Sequence, residues 1–298
     1  MSDASWLWAL FTIIAALSQT VRNATQRELT TSLGTLGATH VRFLFGVPFA
    51  LLFVSGVMVA QGAYLPRPPA AFWPWVLIGV LAQVAATALM LMAMSDRSFV
   101  VVYAYIKTEP VQVALFGLVL LGDVVTPLMA VAILIATCGV VIMSLKRGTS
   151  SGGVKAALLG LGAGAMFGLS ATGFRGAILT LGTDNYVLTA SFTSAIGLAI
   201  PAILLSLYLW LRDPAVLGGI ARSWRPSLFA GFTGAFASQF WFLAFALTTA
   251  ASVRTLALVE VLFAQAISRF AFKQPTAPRE AAGIVLIVVG VALLVWAH

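Results

Sequence analysis

Long apolar runs constrain this chain more than any other feature. A helix needs about 20 predominantly apolar residues to cross the hydrocarbon of a bilayer. Ten stretches qualify: Ser5–Val21, Thr35–Ala60, Trp73–Met94, Phe99–Leu121, Thr126–Leu145, Val154–Gly173, Asn185–Leu211, Trp224–Leu247, Ser252–Phe272 and Arg279–Ala297. The breaks between them, such as Tyr64-Leu-Pro-Arg-Pro-Pro69, Ser95-Asp96-Arg97 and Lys273-Gln-Pro-Thr-Ala-Pro278, leave no room for a soluble domain. Any function must then sit inside the bundle. Trp6 to Leu17 has only Asp3 ahead of it and no basic lead-in, so it reads as the first span and not as a cleaved signal.

Composition removes the competing classes. Of 298 residues, 61% are hydrophobic and 9% charged, whereas soluble domains carry roughly 25% charged residues. Disorder needs the opposite balance. One cysteine, Cys138, rules out a disulfide framework or a cysteine-rich metal site. The basic residues are too sparse to track a phosphate backbone, so no nucleic acid is expected, and no cofactor. The expected partners are the lipid bilayer and a small-molecule substrate. Connections after odd-numbered spans hold Arg22, Arg27, Arg97, Lys146, Arg147, Lys155, Arg212, Arg222, Arg225, Arg269, Lys273 and Arg279; those after even-numbered spans hold Arg67, Arg175 and Arg254. Positive charge gathers on the cytoplasmic side, which predicts that both termini lie outside.

The second half of the chain echoes the first. Trp73 and Trp224, Ala93 and Ala244, Glu109 and Glu260, Pro127 and Pro278, and Gly139 and Gly290 are each 151 residues apart, while Pro48 and Pro201, like Arg22 and Arg175, are 153 apart. With five spans per half, residues 148–298 must enter the membrane opposite to residues 1–147. That arrangement is an inverted repeat, which lets one central site face either side in turn. The predicted fold is therefore an all-α polytopic membrane protein of ten transmembrane helices, two inverted five-helix repeats around a central cavity.

Within that repeat, Glu109-Pro-Val-Gln-Val-Ala-Leu-Phe116, Leu121-Gly-Asp-Val-Val-Thr-Pro127 and Cys138-Gly-Val-Val141 resemble the drug/metabolite transporter superfamily. More narrowly they are similar to EamA-type exporters, with their Glu-Pro helix, Leu-Gly-Glu turn and Gly-Val ending. The motif recurs at Glu260-Val-Leu-Phe263 and Gly290-Val291, so the resemblance covers nearly the whole chain. It departs at Asp123 in the first turn, and at Val261 and Lys273-Gln274 in the second copy. The resemblance implies export of small metabolites across the bacterial inner membrane, and one branch exports aromatic amino acids. The small multidrug members of the superfamily use a glutamate in their first helix. This chain has no acidic residue in its first or sixth span, which favours gradient-driven export over proton antiport.

Positions i, i+4, i+7 and i+11 share a helix face. Trp8, Thr12, Gln19 and Arg22 align so in the first span, Gln83 and Thr87 in the third, and Tyr105, Glu109 and Gln112 in the fourth. The eighth presents Gln239 on one side and Trp241 on another. Amides, hydroxyls and flat rings suit a neutral or aromatic amino acid; any single Gln or Thr reads rather as interhelical glue, and the first-span stripe as a whole as a cavity wall. Charges inside spans are costly and face the interior. Glu109 and Glu260 read either as structural or as substrate-facing, with Glu260 the less supported because its helical neighbours are Leu256 and Phe263. Lys107 lies on nearly the opposite face from Glu109 and is not expected to pair with it. Arg42 is read as snorkelling to the interface, and His40 as a satisfied polar residue in preference to a proton carrier. The stripe Ala156, Gly160, Gly164, Gly168, Thr172 permits close helix approach, as do Ala132, Gly139, Gly283 and Gly290, within or between subunits.

The chain is thus expected to be a transporter and not an enzyme. Export of cationic drugs or other metabolites is the runner-up. A channel or scramblase does not need inverted halves, and a nucleotide-sugar carrier would want more mid-membrane cations than Lys107. An intramembrane serine protease would need Gly-x-Ser-Gly with a partner histidine, yet Gly168-Leu-Ser170 is followed by Ala171 and the histidines are His40 and His298.

Overall fold

The computed structural model describes residues 6–96, 102, 105–144, 154–182, 184–270 and 277–297, and every regular element among them is helical. In chain order these are α1 (Leu7–Leu44), α2 (Gly46–Gln61), α3 (Phe72–Asp96), α4 (Glu109–Phe116) with a π-helical turn at Gly117–Leu121, α5 (Pro127–Ser144), α6 (Val154–Thr180), α7 (Tyr186–Arg212), α8 (Pro214–Arg222), α9 (Trp224–Leu247), α10 (Ala250–Leu256), α11 (Val259–Phe270) and α12 (Pro278–Trp296). The second copy of the acidic turn, Lys273-Gln274, falls outside the described residues, as do Arg97, Lys146 and Arg147.

Among the described residues, six helices are long and apolar enough to cross a bilayer on their own: Ser32–Gln61, Phe72–Met90, Ala157–Thr180, Tyr186–Arg212, Trp224–Leu247 and Pro278–Trp296. They correspond to the second, third, sixth, seventh, eighth and tenth expected spans. The first and fifth are apolar but shorter, at Leu7–Arg22 and Pro127–Met143. The fourth and ninth are interrupted. Two expected loops are also helical. α1 continues beyond Arg22 to Gly34, where the backbone turns to φ 67°, a conformation that glycine adopts without steric cost. Residues 214–222 form α8, whose Val216, Leu217 and Ile220 pack on Leu29, Leu33 and Leu209. Several cations assigned to loops sit inside helices instead, among them Arg22 in α1, Arg175 in α6 and Arg254 in α10.

The chain forms two compact units, and neither coincides with one half of the sequence. Unit 1 takes Met1–Ala9, Leu77–Arg175 and Thr248–His298; unit 2 takes Leu10–Val76 and Gly176–Leu247.

In unit 1, α5 and α12 meet backbone on backbone. A Cβ on Gly139 would come within 2.8 Å of the Gly283 carbonyl oxygen, and one on Gly290 within 2.6 Å of the Ala136 amide nitrogen. The small face shared by the two helices is therefore consumed within one chain. Its fit leaves no side chain free to yield, so Gly283→Leu is expected to cost at least ~1–3 kcal/mol. Thermal unfolding in detergent checks this, and an unchanged midpoint would refute the seam. The α6 stripe lies against the interrupted fourth span: a Cβ on Gly160 would meet Tyr105 Cβ at 2.7 Å, one on Gly164 the Ile106 carbonyl at 3.0 Å, and one on Gly168 Val113 Cγ2 at 2.9 Å. These glycines let α6 cradle the segment that carries Glu109.

In unit 2, α2, α7 and α9 pack against one another. Gly231 of α9 allows the closest approach, since a Cβ there would lie 2.6 Å from the Phe45 backbone carbon. Asn185 caps α7 by accepting from the Leu188 amide at 3.1 Å. Apolar side chains such as Val59, Ile203, Leu211, Val119 and Trp296 stand more than half exposed. In water so much exposed apolar surface would drive association; in hydrocarbon it is the solvated face.

Candidate functional site

The two interrupted helices carry the densest polar chemistry. Pro110 explains the first interruption, because its ring cannot sit against the Ile106 carbonyl of a continuous helix. Residues 107–108 form a turn, the Thr108 hydroxyl donates to the Tyr105 carbonyl at 2.7 Å, and α4 restarts at Glu109. In the second copy the proline is replaced by Val261, yet the chain still breaks at residues 257–258. There Leu258 is anchored in a cluster with Ala136, Val140 and Ile287. Tight bonds from Leu258 N to Thr255 O (3.1 Å) and Glu260 N to Ala257 O (3.0 Å) close the turn. Glu109 and Glu260 thus each fall in the first turn after a break, a favourable place for a carboxylate at a helix N-terminus.

The first break contains Lys107 and the second follows Arg254, each has a glutamate after it, and the four charges pair crosswise. Lys107 Nζ binds Glu260 Oε1, with side-chain exposures of 12% and 7%. Arg254 Nε lies 3.1 Å from Glu109 Oε1, with exposures of 20% and 10%. Lys107 also lies within Coulombic reach of Glu109 and Arg254. Glu109 Oε1 accepts no hydrogen bond among the described residues, so its tie to Arg254 is one of charge without an aligned N–H. The expectation that Glu260 lacks polar support is corrected here. Its support comes from another helix, which its own neighbours Leu256 and Phe263 do not reveal. Lys107, not expected to pair with Glu109, binds Glu260 and also lies within Coulombic reach of Glu109. Of the other fourth-span candidates, Gln112 donates to the Leu161 carbonyl at 3.3 Å, and Tyr105 packs on Gly160. Gln83, half-buried in α3, has its carbonyl bonded by Thr87 at 2.9 Å. Trp8 is buried at the start of α1.

A second ion pair closes the turn after α4. Gly122, at φ 67°, ends the π-helical turn, and the Asp123 amide bonds back to the Gly117 carbonyl at 3.0 Å. The Asp123 carboxylate then grips Arg175 through Nε at 3.3 Å and Nη2 at 3.1 Å, while Arg175 Nη1 donates to the Thr248 carbonyl. The Leu-Gly-Asp motif thus fastens the end of α4 to α6 and to the segment entering α10.

Unit 2 holds a separate polar and aromatic group. Trp241 Nε1 donates to Gln19 at 3.1 Å, and Gln239 Nε2 donates to Ser191 Oγ at 2.6 Å. Rings form a chain along α9: Phe49 to Phe232 (5.2 Å), Phe232 to Phe236 (5.8 Å), Phe236 to Phe240 (4.8 Å) and Phe240 to Phe11 (5.7 Å). Thr12 is fully buried beside this row in sequence. His40 stands apart, fully buried and sharing a 3.0 Å hydrogen bond with Ser206. Arg42 lies over the Phe43 ring at 4.6 Å, and both it and the buried Arg22 approach Gly234, with Cγ at 3.3 Å and Cδ at 3.5 Å from its Cβ position. Arg42 therefore turns inward, contrary to the snorkelling expected. Ser170, the serine considered for proteolysis, donates to the Gly79 carbonyl at 2.7 Å.

Helices of this length and hydropathy, with ion pairs buried among them, define a multi-pass membrane protein. Residues 6–145 match the model of the EamA-like transporter family. That stretch is thus similar to EamA-like transporters, consistent with the drug/metabolite transporter superfamily, and the match supports a role in transport. A solved crystal structure is similar over 98% of this chain and 96% of its own, with a TM-score of 0.73 at 16% identity, which establishes a shared fold. No curated protein matches the sequence.

Proposed function

We propose that the protein exports neutral amino acids, including aromatic ones, across the bacterial inner membrane by alternating access of two inverted five-helix repeats, residues 1–147 and 148–298, driven by the substrate gradient. The observation that carries the substrate class is the α9 surface, where a run of aromatic rings adjoins the Gln19–Trp241 and Gln239–Ser191 hydrogen bonds. Rings offer flat apolar surface to a side chain, and amides offer hydrogen bonds to its polar end. The inverted repeat is supported by the corresponding interruptions at 107–108 and 257–258, each followed by a glutamate in the first helical turn. Discontinuous helices in corresponding places of two halves accompany binding sites in repeat-built transporters.

Uptake of labelled amino acids into liposomes holding the purified protein tests this reading. Phenylalanine, leucine and alanine should move, with little effect of a pH gradient. Movement of lipophilic cations in their place would establish the cationic-drug alternative. Gln19→Ala removes the acceptor that orients the Trp241 indole, a hydrogen bond worth about 0.5–1.5 kcal/mol. It should slow phenylalanine flux severalfold more than alanine flux while the yield of folded protein holds. Equal slowing of both substrates, or none, would take Gln19 out of substrate recognition.

A further inference from the structure

The crosswise ion pairs of unit 1 go beyond the α9 group of unit 2, and the inference rests on the substrate class proposed above. Four charges inside a bundle are a poor way to gain stability, because desolvation offsets their attraction and apolar replacements of similar volume are often as stable or more so. The two pairs also differ. Lys107–Glu260 is the more enclosed, whereas Arg254 is the most exposed of the four side chains and faces a Glu109 oxygen without an aligned N–H. A guanidinium presents a planar fork that matches a carboxylate with two parallel hydrogen bonds. A carboxylate such as Glu109 accepts from an ammonium.

We propose that the Glu109–Arg254 pair is a zwitterion-binding site: the pair opens to take the substrate carboxylate on Arg254 and the substrate ammonium on Glu109, while Lys107–Glu260 stays closed and holds the two broken helices together. The exchange is neutral at every step. One internal ion pair is replaced by two external ones, and no charge is left unmatched in the bundle. A lone cation or a lone anion cannot do this, since either would leave the cluster of two cations and two carboxylates with a net buried charge. The site therefore selects for molecules that carry both charges on neighbouring atoms, and it has no stake in the side chain.

Thermal unfolding of the purified full chain in detergent, with phenylalanine, phenethylamine or 3-phenylpropionate, tests the selection directly. Phenylalanine should raise the midpoint, and neither half-charged analogue should do so at equal concentration. Equal stabilisation by either analogue overturns the proposal. The neutral double variant Glu109→Gln/Arg254→Gln leaves no unmatched charge. It should keep the midpoint of the unliganded protein and lose about tenfold to a hundredfold in phenylalanine affinity, the scale of charge-assisted hydrogen bonds. Liposome flux separates this inference from the reading beneath it. Phenylalanine flux that survives undiminished in the double variant overturns the site alone, and absence of flux in the unaltered protein overturns both.

Discussion

Glu260→Gln should sharply reduce the amount of folded protein. The substitution keeps the shape of the side chain but removes the charge that Lys107 faces, and the pair is almost fully enclosed. Breaking a buried pair by removing one partner typically costs about 3–5 kcal/mol, because the other charge stays behind. The natural control is Lys107→Met/Glu260→Leu, which removes both charges and should return the unfolding midpoint close to that of the unaltered chain. Glu109→Gln should behave differently, lowering the midpoint less than Glu260→Gln because Arg254 is the more exposed cation, while amino-acid flux is lost. Sequence reasoning also expects Glu109→Gln to be the more damaging to transport, but it makes Glu260→Gln the mild change. The Lys107 contact reverses that second half. A single Glu260→Gln variant as stable as the parent would show that the pair contributes nothing.

Arg175→Ala should be the other severe lesion. Arg175 joins three places at once: the Asp123 turn after α4, its own helix α6, and the Thr248 carbonyl ahead of α10. Its loss leaves the Asp123 carboxylate without the two bonds that hold it, and again the expected cost is about 3–5 kcal/mol. Asp123→Ala should cost a similar amount. The double variant should be less damaged than the sum of the singles, the mark of residues in direct contact. Strict additivity in that cycle would mean the two side chains act separately.

Much of the helical layout is legible in the sequence. The eighth expected span and α9 share both ends, and the seventh and tenth differ from α7 and α12 by one residue at each end. These runs are bounded by proline, charge or, after Leu247, the capping residue Thr249, so the physical stop signals sit in the text itself. The breaks within the fourth and ninth spans are harder, because apolar residues run straight across them. Pro110 signals the first. The second has no local signal, since Val261 is a tolerable helix residue and only the anchoring of Leu258 in the α5–α12 cluster holds the turn. The candidate site is half legible for a related reason. Helix-face arithmetic finds Glu109, Gln19, Gln239 and Trp241, but it sees only neighbours three and four residues away. Lys107 meets Glu260, and Arg254 meets Glu109, across separate helices. A count of cations by loop places Arg175 and Arg254 outside the bundle where they have no such role. The motif Leu121-Gly-Asp123 is visible at once, but what Asp123 holds is not.

The threading of unit 1 has a consequence for biogenesis. Unit 2 has all of its residues once Leu247 has been synthesised, whereas unit 1 draws on Thr248–His298 as well. Until those residues reach the membrane, the Gly139 face of α5 has no α12 to close it, and Lys107 and Glu109 are already inserted with neither Glu260 nor Arg254 yet made. Each such charge costs about 2.5–3.5 kcal/mol at a helix centre on insertion scales. The nascent chain is thus at its weakest between Leu247 and Glu260, and a ribosome that stalls there leaves a half-built unit for quality control to find.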